Sequence, residues 1–150
     1  MKKLFMIALA LTFATGAFAQ ADLIEMLRAD IKADRVAIFT ASMGLTEEQS
    51  QKFWPVYRKY EYELDKIADT RIELLKNFAD TYDTMTDDQA KALARQSLKL
   101  RESRLNLKKR YFEKMATAVN PRVAARFIQV EYQIQLLIDM QIAAEMPLIK

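Results

Sequence analysis

The residue types that carry most enzyme chemistry are missing from this sequence. It has no histidine and no cysteine. Ser-His and Cys-His nucleophile pairs are therefore excluded, and so is the commonest general base. A zinc site would have to be built from carboxylates alone. Asp and Glu number 20, yet no pair is set apart by its spacing, and two glycines in the whole chain offer no phosphate-cradling loop. The expectation is a protein that is not an enzyme, with no catalytic residue, no metal ligand and no cofactor. Binding chemistry remains. At 100° per residue, Arg101, Arg104 and Lys108 fall on a helical face that also carries Leu100, Leu107 and Phe112, and Arg71 interrupts an apolar series in the preceding helix. A bare buried cation is too costly to keep. One reading pairs these cations with acids such as Glu61, Asp65 or Glu131 and packs their aliphatic stems on the core. The other leaves the face partly open, so that cations stand among apolar groups on a surface suited to unfolded chains. For Arg71 the pairing reading leads; for the other three both readings stand.

Local spacing marks two further places. Leu45-Thr46-Glu47-Glu48-Gln49 and, forty residues on, Met85-Thr86-Asp87-Asp88-Gln89 have the same form. In each, the Thr hydroxyl can accept from the N–H three residues ahead, and the Gln side chain can reach back to the Thr N–H, which is a capping box. The paired acids lie in the first turn, where they oppose the positive end of the helix dipole. Each box on its own means only a well-made helix start.

Taken together, two boxes of the form Leu/Met-Thr-x-x-Gln in a small, cysteine-free helical chain resemble the LTXXQ motifs of the Spy/CpxP family of periplasmic proteins. The resemblance runs over roughly 31–127 and rests on Leu45, Thr46, Gln49, Met85, Thr86 and Gln89, with Met85 standing where the second motif has leucine. It implies a long-helix hairpin, often a cradle-shaped antiparallel dimer, that binds unfolded or misfolded proteins without ATP. Some family members instead modulate envelope-stress sensor kinases.

The elements that must position these residues are helical. Beyond the leader described below, glycine is reduced to Gly44 and proline to Pro55, Pro121 and Pro147, too few for the turns of a sheet. The pattern predicts an all-α hairpin or bundle of about four long helices. The first runs from about Asp22 to Met43, capped by Gly44. The second follows Thr46 to about Asp80, with a seam of Phe53, Tyr57, Tyr60, Leu64, Ile67, Leu74 and Phe78. The third follows Thr86 to about Ala118, with series at Leu93, Leu100, Leu107 and at Leu98, Leu105, Phe112, Val119. The fourth opens at Pro121, a favoured first position, and carries Val123, Phe127, Val130, Ile134 and Leu137, with Ile128, Ile138 and Ile142 as a second strip. Phe53, Trp54, Tyr57 and Tyr60 form an aromatic cluster that suits a core and could also supply binding anchors. Pro55 should kink the second helix. The runs Glu61-Tyr62-Glu63 and Lys108-Lys109-Arg110 read as solvated faces.

The start of the chain reads as an address. Lys2 and Lys3 precede an uncharged apolar run from Leu4 to Phe18 that closes on Ala17-Phe18-Ala19. This is the pattern of a secretory signal peptide with cleavage after Ala19. The run is too short to span a bilayer, which needs about 20 apolar residues. The expected organisation is a signal peptide over 1–19 and one helical domain over 20–150, exported to the periplasm with no stable membrane insertion. Without the two leader lysines, 21 basic side chains face 20 acidic ones. That near-neutral balance, with export and no short helix-turn-helix pattern, argues against a nucleic-acid partner. The leading function is an ATP-independent chaperone-like protein, expected as a homodimer. Alternatives are a periplasmic regulatory adaptor of a sensor kinase and, further off, a transcriptional regulator.

Overall fold

The computed structural model describes residues 35–150, so the signal peptide, its cleavage site and the beginning of the first expected helix lie outside the described residues. The chain divides into two compact units, 1–37 and 38–150. Of the first, residues 35–37 are described and are helical.

Every regular element described is a helix. The helix whose described part spans 35–43, here α1, is followed by Gly44 at φ 54°. This is the left-handed stop that the glycine suggested, a conformation unfavourable for a residue with a Cβ. The guanidinium of Arg126 donates to the carbonyl oxygen of Met43 at 2.7 Å, placing positive charge at the negative end of that helix. α2 (Glu47–Thr81) runs unbroken through Pro55, and a short 3-10 turn (Tyr82–Thr84) links it to α3 (Asp87–Ala118). α4 (Pro121–Glu145) follows after Val119 and Asn120. Short connections make α2 with α3, and α3 with α4, antiparallel neighbours.

Both capping boxes form. Thr46 Oγ1 accepts from the Gln49 N–H at 3.2 Å, while the Thr46 N–H donates to Gln49 Oε1 at 3.1 Å. At α3 the corresponding distances for Thr86 and Gln89 are 3.3 and 2.8 Å. Leu45, the residue before the first box, packs on the core. A third cap had no place in the sequence reading: Asn120 Oδ1 accepts from the Val123 N–H at 2.9 Å, so α4 starts from an Asn cap with proline at its first position.

The core gathers at one end of the 38–150 unit. Phe39 and Met43 from α1, Phe53, Tyr57 and Tyr60 from α2, Tyr111 and Met115 from α3 and Phe127 from α4 are all buried there. Their rings meet at contact distances, with Tyr60 edge-on to Phe127 at 5.0 Å and Phe39 against Tyr57 at 4.7 Å, a geometry that adds to simple area burial. Core packing is thus the role of the aromatic cluster. Toward the opposite end the helices stay amphipathic but their apolar strips are not all covered. Leu98, Leu105, Leu136, Met140 and, at 58 % exposure, Leu137 face outward. This corrects two of the apolar series: Leu137 does not continue the buried series of α4, and Leu98 and Leu105, near the middle of α3, are left exposed. Three helices cover only part of a broad apolar face.

Candidate functional site

Between the distal halves of α2, α3 and α4 lies a groove of about 900 Å3, near the upper end for a ligand site. α2 supplies Arg71, Leu74, Leu75 and Phe78 to its wall, and α4 supplies Tyr132, Gln135, Asp139 and Ile142. α3 runs along it from Leu93 to Lys108, and the segment after α4 closes the far end with Met146, Leu148 and Ile149. The seam stays open because small side chains stand where a filled bundle needs large ones, at Ala94 and Ser97 on α3 and at Ala143 on α4.

All four cations singled out in the sequence, Arg71, Arg101, Arg104 and Lys108, line this one groove. Their environments differ. Arg71 Nη2 donates to Asp139 Oδ1 at 2.5 Å. It is paired, as expected, but with Asp139 and not with Glu61, Asp65 or Glu131. Glu131, only 1 % exposed, accepts from the Tyr60 hydroxyl at 2.6 Å. Lys108 is 5 % exposed, and its ammonium lies over the Tyr132 ring at 4.2 Å. Lys108 therefore belongs to the packed wall, which corrects its assignment to a solvated run. Arg104 is half-buried. Arg101 is exposed at the groove and forms no ion pair with the described residues. Asp139, also held by Gln135 Nε2 at 2.7 Å, is, among the described residues, the one carboxylate on a wall that carries four cations.

The two charge runs meet across the α2–α3 hairpin through Glu63 and Arg110. Glu63 accepts from Arg110 and, at 2.7 Å, from the Tyr111 hydroxyl. Burial first, and then the hydrogen bond to the Glu63 carboxylate, push the Tyr111 phenol up to about 12. The capping motifs do not share the groove site as a pair. Thr46 and Gln49 lie at the start of α2 and Thr86 and Gln89 at the start of α3, opposite ends of an antiparallel hairpin.

Two parts of the site escaped the sequence reading. Asp139 sits inside the apolar run Leu136-Leu137-Ile138-Met140, where a lone acid signals a partner. The segment after α4 carried only a stop at Pro147. It is docked by the Tyr82 hydroxyl, which donates to the Leu148 carbonyl at 3.2 Å, and by Lys150 on Asp83 at 2.6 Å. That contact raises the Lys150 ammonium above its ordinary value, through the Asp83 hydrogen bond first and its charge second.

Among the described residues no cluster of acids is placed to hold a metal ion, and no helix is long and apolar enough to cross a membrane. The arrangement offers apolar wall, fixed positive charge and one carboxylate, which suits capture of a ligand by burial and charge. Comparison with family models, with curated proteins and with solved structures found no match.

Proposed function

We propose that this protein is a periplasmic, ATP-independent chaperone-like binding protein of the Spy/CpxP kind, working as a homodimer and holding unfolded or misfolded envelope proteins against the groove face. The observation that carries the reading is the convergence of Arg71, Arg101, Arg104 and Lys108 on a single wall with Leu74, Phe78 and Leu100. Unfolded chains expose apolar side chains and acids side by side. A surface that mixes apolar area with cations holds the first by burial and draws in the second by charge. The paired LTXXQ-like boxes support the family placement. Nucleic acid is not a partner in this reading.

The test is an aggregation assay. A chemically unfolded client is diluted into buffer with the purified protein and no nucleotide, and light scattering is followed. Suppressed scattering at near-equimolar ratio is the expected result; unchanged scattering across several clients removes the chaperone role. Export has its own check, since mass spectrometry of the exported protein should show an N-terminus at Gln20. The adaptor reading draws on the outward stripe of Leu136, Leu137 and Met140 on α4, which one folded partner could cover. A single stoichiometric partner recovered from envelope extract, together with no effect on aggregation, would favour it.

A further inference from the structure

The groove is asymmetric along its length. Its inner part, toward the packed end, holds Lys108, Arg104, Arg101 and the Arg71–Asp139 pair. Its outer part is apolar, with Leu74, Phe78, Leu93 and Leu148. From Arg104 to Leu93 the rise of α3 makes this wall about 16 Å long. Asp139 offsets one cation, and Arg71 still has donors beyond the one it gives to Asp139. Arg101 makes no ion pair with the described residues. Arg101 and the spare donors of Arg71 thus set positive charge at one end of an apolar trough, the complement of a molecule with one anionic end and one long apolar tail.

We propose that this groove binds a free single-chain anionic amphiphile, a long-chain carboxylate, with its head group at Arg71 and Arg101 and its tail along Leu74, Phe78 and Leu93 toward Leu148. A guanidinium matches a carboxylate in shape as well as in charge. The tail removes apolar surface from water at both partners. The inference rests on the groove and its charges, and holds whether or not the same face captures unfolded chains.

The experiment is a calorimetric titration of the purified protein with dodecanoate below its micelle-forming concentration, with no client present. The extended dodecanoate chain is close to the length of the trough. The comparators are dodecyl maltoside and dodecyltrimethylammonium, which keep the tail without the negative charge, and butyrate, which keeps the head without the tail. Dodecanoate should saturate at one per chain, at least tenfold more tightly than each comparator. Arg101→Gln should weaken it by about tenfold, the loss of one charge-assisted contact, and Arg101→Lys should recover part of that. Because Arg101 is exposed, both variants should melt like the parent, so the loss reads as binding. The proposal is overturned by any of four results: no saturable dodecanoate binding, equal affinity for dodecyltrimethylammonium, unchanged affinity in Arg101→Gln, or flotation with anionic phospholipid vesicles without uptake of free dodecanoate.

Discussion

A threonine at a helix start and a glutamine three residues on form a closed pair, because each fills a backbone hydrogen bond that the other's main chain leaves open. Thr46→Ala and Thr86→Ala should each lower stability by about 1 kcal/mol in denaturant melts. Thr→Ser or Thr→Asp at the same positions should restore it. Client protection that falls while stability is unchanged would give the motif a role beyond capping. Tyr111 makes a second residue-scale case. Its phenol is raised to about 12 in the folded protein, against about 10 in an unfolded chain. The stability this contributes is complete below pH 10 and is lost as pH climbs toward 12, by at most about 1.4 kcal/mol per pH unit. Tyr111→Phe should be less stable than the parent near neutrality, and the gap should narrow between pH 10 and pH 12. A constant gap in urea melts across that range would remove the linkage. Contacts between near neighbours in sequence were legible from spacing, since a capping box needs only four residues in order. The Arg71–Asp139 pair spans 68 positions. A wheel could show that Arg71 needed a partner, but only the packing of α4 beside α2 could name it.

Elements follow from the same logic one level up. Gly44 ends α1 at φ 54° and would bring a Cβ to 3.4 Å from Arg126 Nη1. Gly44→Ala should cost about 1–2 kcal/mol, since the left-handed conformation is strained for a side chain, and Gly44→Asn should cost less. A Gly44→Ala variant that melts with the parent would mean the turn re-forms without strain. The helix ends within 35–150 were readable because periodicity, caps and the prolines on either side of α4 agree, each a local signal. Which strips are covered was not readable. Leu137 continues a perfect heptad from Val123, yet it is exposed, because coverage depends on how many neighbours α4 has at that height. If that stripe is the homodimer contact, Leu137→Lys should convert a dimer to a monomer in sedimentation equilibrium with helicity unchanged. A parent that sediments as a monomer at high concentration would end the dimer proposal.

At the scale of the 38–150 unit, one end is closed by interlocking aromatic rings and the other is held open along a charged seam. That division was half-visible in the sequence. The aromatic cluster and the misplaced cations were both apparent, but their opposite fates depend on the small residues Ala94, Ser97 and Ala143 lining the same stretch of groove from two helices, a matter of register that no single helix reveals. The division also sorts the four cations by what their removal should do. Lys108 is buried against Tyr132, so Lys108→Gln should lower stability by about 1–2 kcal/mol through the lost cation–π contact and a newly buried amide. Arg71→Gln should also lower the melting temperature, because it leaves the Asp139 carboxylate half-exposed without its guanidinium. Any loss of client protection in these two variants should track the loss of fold. Arg101 is exposed and outside any ion pair with the described residues, so Arg101→Gln should melt like the parent. Its effect should appear in the rate of capture, because fixed charge speeds encounter with acidic segments of a client. The difference between parent and variant should shrink as salt is added, since exposed charges are screened beyond about 8 Å at physiological ionic strength. Scattering traces taken at low and high salt beside thermal melts separate the cases. An Arg101→Gln protein that protects the client at the parental rate in both salts would place capture elsewhere on the molecule, with the outward face of α4 as the next surface to probe.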